Sequence, residues 1–399
     1  MISMDNDAPV RRSDPYLHPG VYLKEDFSAP RRDPFSTGVP VFIGLCKSTP
    51  DERVNKVHRL RVWSHFLSEV GRTYQDCILG YAVRGFFQNG GTRCYVIVVR
   101  DLNPGTVEKA LELAARFHTI DLVCLPDLGE HRNVAFDLQQ LVVNHCEDAG
   151  DRFAILDSWR GDKSDDVRQQ WSAIDGRNGA IYYPWIRVRC FEEEHGHRAS
   201  TILIPPCGHV AGVYARTDDS YGVHKAPANE VLEGVLNLER HVTNEEQDKL
   251  NPHRINCLRS FPGRGIRVWG ARTLSGQDSW TYVNVRRLFL TTARWLAWHM
   301  LDVVFEPNDS RLWHRVEGEL QQYLLDLYQQ GALKGRTAAD AYYVQCNART
   351  NPKEVIEAGQ VVAEIGLAPT TPCEFVVVRL IYGTSGVSIS GPTRPEQNL

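Results

Sequence analysis

The chain has 399 residues, 42% hydrophobic, 24% charged and 10% aromatic, with a formal net charge of -4. That length can bury a large core and predicts two or three domains. A slightly acidic chain with no broad basic excess excludes nucleic acid and anionic lipid as expected partners, and the pairs Arg11-Arg12, Arg31-Arg32 and Arg286-Arg287 read as solvated or ion-paired surface features.

Residues 1–18 are polar, with two prolines and an arginine pair, and read as a mobile tail. They contain no apolar stretch of a secretory signal, and nowhere does the chain show the run of roughly 18 apolar residues that marks a membrane span, so no direct membrane insertion is expected. In PGVYLKEDF, Val21 and Leu23 alternate with Tyr22 and Lys24, the pattern of a short strand. A linker with Pro30, Pro34 and Pro40 leads into VPVFIGLC, an apolar run that predicts a buried strand. From 60 to 190, strand-like YVIVVR, DLVCLPD, FAILD and IYYPWIRV alternate with helical patterns near Thr106–His118 and Asn133–Asp148. Such alternation argues for a largely parallel sheet covered on both faces.

The texture changes near residue 205. Gly208–Asn229 is rich in polar groups and reads as a loop. A helix is expected over Glu230–Arg240 with Asn229 as its cap, and Thr243-Asn-Glu-Glu246 is a capping-box pattern. INCLRSF and IRVWGART read as strands joined by the turn PGRG. An apolar periodicity from Val285 predicts a long helix ending near Phe305, and Leu290, Trp295 and Trp298 give it a second apolar face. Pro307–Asp309 breaks it and caps a helix over Ser310–Gln330 that stops at Gly331. YYVQCN, QVVAEIGLA and EFVVVRLIYG read as strands, followed by a loose polar tail. The expected fold class is therefore α/β (α+β): two packed bodies with mixed sheets flanked by helices, plus extended ends. Its divisions are 1–38 (tail, short strand and linker), 39–204 (first α/β body), 205–383 (second body) and 384–399 (tail).

Motifs of chemistry are absent: no phosphate loop, dinucleotide fingerprint, HExxH, GxSxG elbow or calcium loop. Glu192–His197 (EEEHGH) has metal-ligand residue types, but on a loop with no distant partner, and no cofactor is predicted. The ten scattered cysteines form no CxxC pair and read as reduced, mostly buried thiols. His209 or His224 as base, Asp218 or Asp219 as carboxylate and Lys225 as cation would suit acid–base work only at hydrogen-bond distance, which sequence does not fix.

Several stretches, in order, resemble one family. PPCGHVAGVYARTDDSYGVHKAPAN (Pro205–Asn229) comes first, then LNPHRINCLRSFPGRGIRVWGARTL, WTYVNVRRLFLTTARWLAWHMLDVVFEPND and LWHRVEGELQQYLLDLYQQGALKG. YYVQCNARTNP and GQVVAEIGLAPTTPCEFVVVRL end the run, while HPGVYLKED and VPVFIG match at the other end. The resemblance is to the sheath proteins of contractile phage tails, phage-tail-like bacteriocins and extracellular contractile injection systems. It implies a structural role without catalysis, and stacked six-fold rings around an inner tube protein, with baseplate and terminal cap proteins as further partners. It also implies assembly in a bacterial cytoplasm. Phage sheaths often carry large extra outer domains, so the compact chain is expected to serve an injection system or bacteriocin, with a virion tail as the alternative.

By the same resemblance, terminal arms add strands to neighbouring copies: Val21, Tyr22 and Leu23 at one end, Phe375, Val376, Val377, Val378 and Leu380 at the other. Tyr214, Asp218, Asp219, Tyr221 and Lys225 become candidates for contacts between subunits or bodies. The second body is placed at the inner surface, with Arg311 and Arg315 as candidates to face the tube. The competing readings are a soluble α/β enzyme using residues 208–229 and a baseplate or cap protein with a sheath-like domain.

Overall fold

A computed structural model of the chain describes residues 36–71, 77–130, 132–161, 163–191, 201–374, 379–383 and 386–390. Val21, Tyr22 and Leu23, the Glu192–His197 segment, and Phe375, Val376, Val377 and Val378 lie outside the described residues.

Strands β1 (Pro40–Leu45) and β2 (Val57–Leu60) precede helices α1 (Trp63–Glu69) and α2 (Ile78–Gln88). Strands and helices then alternate: β3 (Cys94–Val99), α3 (Pro104–Ala115), β4 (Leu122–Cys124), α4 (Arg132–Ala149), β5 (Phe153–Asp157), α5 (Ser164–Ser172) and β6 (Gly179–Tyr183). The chain continues through β7 (Ile186–Arg189), β8 (Thr201–Ile204), α6 (Cys207–Tyr221), β9 (Glu230–Val231), β10 (Val235–Leu238), α7 (Asn244–Leu250), β11 (Ile255–Phe261) and β12 (Gly265–Trp269). Last come α8 (Val283–His299), α9 (Ser310–Gln329), β13 (Tyr342–Gln345), β14 (Glu364–Leu367), β15 (Arg379–Gly383) and β16 (Gly386–Ser390).

One nine-stranded sheet runs in the order β2-β3-β1-β4-β5-β6-β11-β12-β9. From β3 to β11 all neighbours are parallel, and β2, β12 and β9 add antiparallel margins. Alternate residues of each strand supply two cores. Phe42, Val96, Val98, Phe153, Ile155 and Tyr182 meet α2 and α6 on one face. Val41, Ile43, Ile97, Val99, Ala154 and Ile181 meet α3 and α4 on the other. This is why VPVFIGLC is apolar at successive positions: both of its faces are covered. Each fully buried Val, Ile or Phe contributes about 1.5–3 kcal/mol. The ten cysteines are all free thiols, and only Cys373 is exposed.

Several local expectations meet a different outcome. Cys207–Tyr221 is a helix, although its polar residues suggest a loop. Its small residues Gly208, Ala211, Gly212 and Ala215 lie at helical spacing, and a Cβ at Gly208 would overlap the Ala82 carbonyl of α2. The two helices thus approach at backbone contact. Glu230–Arg240 is two short strands, not a helix. Gly234 in its middle has φ +78, and Asn229 at φ +61 lacks the extended conformation of a cap. Instead Val231 pairs with Arg267, and Val235–Leu238 pairs with β7. The long helix from Val283 ends at His299, and Trp298, Leu301, Val304 and Phe305 are exposed.

β9, β11 and β12 lie beyond the division expected at residue 205, yet they complete the large sheet because β11 takes the parallel place beside β6. A separate small core forms later in the chain, where Leu288 of α8 meets Ala332, Leu333 and Ala341. The tail expected to be loose contains β16, which pairs with β15 so that Leu380 lies opposite Ile389 of the same chain. No helix among the described residues is long and apolar enough to cross a membrane.

Candidate functional site at the roots of the two chain ends

The chain enters the sheet through Ser36–Val39, and a buried charge cluster holds it there. Gly38 N–H donates to Asp121 Oδ2 at 3.0 Å and Val39 N–H to Oδ1 at 2.6 Å. Gly38 has φ +68, and a Cβ there would overlap Ala215 of α6, so only glycine fits. Arg287 of α8 reaches Asp121 Oδ2 at 3.0 Å and grips Asp218 of α6 at 2.9 and 2.6 Å. Arg294, seven residues on, lies 3.7 Å from Asp121 and donates to the carbonyls of Ser36 and His118 at 3.1 and 3.2 Å. The Arg287 guanidinium also lies 4.9 Å from the centre of the Tyr214 ring, whose hydroxyl shares a 2.6 Å hydrogen bond with Tyr182.

These four charged side chains are at most 5% exposed. Burial lowers the proton affinity of Arg287, but Asp218 and Asp121 outweigh it and keep the guanidinium charged. Burial pushes the Asp218 carboxyl up, opposed by Arg287. Two cations and two carboxylates balance, and every contact is between residues far apart in sequence. The cluster therefore ties four segments together: the incoming chain, Asp121 just before β4, α6 and α8. A buried network of this kind is valued for the arrangement it specifies more than for net stability.

The other end has its own anchor. Arg272, just after β12, forms a two-pronged pair with Glu374, through Nε at 3.0 Å and through Nη2. Its Nη1 donates to the Asn251 carbonyl at 3.0 Å, and its backbone N–H donates to Asn256 Oδ1 at 2.7 Å. Glu374 raises the proton affinity of Arg272 against the effect of burial. This pair fixes the chain immediately before residues 375–378.

The structure divides the predicted contact residues. Tyr214 is fully buried and Asp218 nearly so, both at the N-terminal root. Asp219, Tyr221 and Lys225 are exposed, Tyr221 at 62%, and the Lys225 ammonium donates to the Ala226 carbonyl at 3.2 Å. Acid–base partners do not converge: Asp218 is engaged by Arg287, while His209 packs against Gly85 of α2. Arg311 is largely exposed beside Asp309 at 3.3 Å, and Arg315 pairs with Glu319 at 3.2 Å and lies 3.7 Å from Glu306. Arg286 and Arg287, expected at the surface, are buried; Arg286 donates to Asn178 Oδ1 at 2.6 Å and lies over Trp280. Sequence reasoning missed Asp121, Arg272, Arg287, Arg294 and Glu374. The available signal was the spacing of Arg287 and Arg294, two turns apart on α8.

Two family profiles match in tandem: the phage tail sheath protein central domain over residues 105–274 and the phage tail sheath C-terminal domain over residues 275–381. The chain belongs to the contractile tail sheath family. The boundary between these domains falls between β12 and α8, after the large sheet is complete. The tail sheath protein of Vibrio phage KVP40 is 25% identical over 247 residues, 61% of this chain and 35% of that protein. That of Salmonella phage ViI is 29% identical over 170 residues, 42% of this chain and 26% of that protein. The match thus spans about a third or less of these curated relatives. Among solved structures, the helical sheath of the anti-feeding prophage in its contracted state is 32% identical with a TM-score of 0.76, covering 92% of this chain and 99% of that one. The contracted sheath complex of PVC, an extracellular contractile injection system, gives the same identity and TM-score with 98% of its chain covered. A sheath tail protein from Listeria innocua shares the fold at 10% identity and a TM-score of 0.57.

Proposed function

We propose that the chain is the sheath subunit of an extracellular contractile injection machine, a structural part without catalytic activity. It stacks as six-fold rings around an inner tube, and its contraction drives that tube through a target envelope. The observation that carries this reading is the near-complete mutual coverage with the anti-feeding prophage and PVC sheaths, against 35% and 26% of the two phage proteins. A baseplate assembly of the anti-feeding prophage contains a chain that is equally similar, which supports baseplate contact. A terminal cap is the remaining partner, and assembly takes place in a bacterial cytoplasm.

In this reading residues 1–38 are an arm and its linker, and Phe375–Leu380 belong to a second arm. Each arm adds a strand to a neighbouring copy. Repeated head-to-tail contacts that do not close build a helical filament. During contraction the bodies turn as rigid units while the arms stay attached. Pull on an arm then passes into the nine-stranded sheet through Asp121, Arg287 and Arg294 at one root, and through Arg272 and Glu374 at the other. The extended state is held by a barrier, so its stability is a rate. The face of α9 that carries Arg311 and Arg315 is the proposed contact with the tube.

Removal of residues 1–27 tests the arm directly. The truncated chain is expected to fold as a monomer and to form no ordered tubes in electron micrographs; normal tubes from it would refute the arm.

A further inference from the structure

Between α2, α6, β7 and the turn linking β9 to β10 lies a cavity of about 280 Å³ to which the sheath reading gives no role. Among its lining residues, Tyr81 and His209 are buried, and Arg84, Gln88 and Arg189 are more exposed. Among the described residues no carboxylate lines it. Arg84 is oriented by the Phe191 ring, 5.3 Å from its guanidinium carbon, and Tyr81 stacks on the same ring at 4.0 Å.

His209 is the unusual member. It is 1% exposed, and neither Nδ1 nor Nε2 has a hydrogen-bond partner. A neutral imidazole offers one donor and one acceptor, and buried polar atoms left unmet are rare enough to need a reason. Burial, followed by the charge of Arg84, lowers its pKa to about 3, so the ring is uncharged at neutral pH. The absence of a side chain at Gly85 leaves the space the ring occupies; a Cβ there would overlap it.

We propose that this cavity binds a small organic anion, its carboxylate or phosphate group held between Arg84 and Arg189 and its body reaching His209. Planar guanidinium groups match both kinds of anion, and polar groups converging on one concave site are what orients a ligand in a pocket.

Calorimetric titration of the full, unassembled chain with citrate and with inorganic phosphate tests this without reference to polymerisation. Saturable one-to-one binding of at least one probe is expected, weakened about tenfold or more in Arg84→Ala and in Arg189→Ala, since each loses a charge-assisted contact. His209→Phe is expected to melt no lower than the parent, because it removes two unmet polar atoms, and to bind more weakly. Repeating the titration on assembled polymer separates two sources of the same chemistry. Undiminished binding marks a free small molecule, and loss on assembly marks a carboxylate of a neighbouring copy in the same place. No saturable binding of either probe, or binding unchanged in both arginine variants, would overturn the proposal; unchanged binding in a folded His209→Phe would remove His209 from it.

Discussion

At the scale of single residues, Arg287 sits between two carboxylates from different parts of the chain, with all three side chains buried. Arg287→Met would leave Asp218 desolvated without its cation and Asp121 with Arg294 alone, 3.7 Å away. The expected loss is about 3–5 kcal/mol, read from the urea midpoint, whereas changing all three together to apolar or amide residues should cost much less. Equal losses in the single and triple variants would show that the charges matter only through packing. Asp157 offers a separate check. Burial raises its pKa from 3.8 to about 7, partly offset by hydrogen bonds from Cys207. Between those values the folded state keeps a proton that the unfolded state has lost, so this group's contribution to stability falls as pH rises from about 4 to about 7. Asp157→Asn should remove that slope, so its stability relative to the parent rises across the same interval. A constant difference would show that Asp157 does not titrate there. Of these residues only Asp218 was legible in the sequence, as a contact candidate. Its partner lies 69 positions away, and nothing local in either segment encodes that meeting.

Helix α6 shows how an element can be hidden by its own polarity. Its aspartates and histidine suggested a loop, whereas the alternation of small residues was the real signal. Gly208→Ala sets two effects against each other. Alanine favours a helix by about 1 kcal/mol over glycine, but its Cβ would press on the Ala82 carbonyl, and overpacking costs about 1–3 kcal/mol. Net destabilisation in a thermal melt is expected; stabilisation would mean that α2 and α6 can separate without cost. Where the chemistry was local, the sequence was legible. Thr243 and Glu246 form the reciprocal cap of α7 at 3.1 and 3.2 Å, Asp309 accepts from the Arg311 and Leu312 amides of α9, and PGRG joins β11 to β12. Glu230–Arg240 failed because Gly234 and strand partners outweighed its helical periodicity. At the C-terminal root, Glu374→Lys should leave the melting temperature of the subunit near that of the parent while reducing tube formation. Unimpaired tubes would remove Arg272–Glu374 from the path of force.

Across the whole molecule, alternation of strands and helices announced a covered parallel sheet, and the structure contains one. Its continuation through β11, β12 and β9 was not legible, because pairing between strands distant in sequence depends on register and not on composition. Charge and motif content pointed away from chemistry, and the ordered match of long stretches pointed to a sheath. If α9 faces the tube as proposed, reversing Arg311 and Arg315 together should weaken co-assembly with the tube at low salt, and unchanged co-assembly would place the contact elsewhere. The proposed function requires that copies of this chain build a hollow helical polymer. Electron microscopy of the purified full-length protein tests it most directly. Tubes of stacked six-fold rings are the expected result, and discrete small particles at every concentration would contradict it.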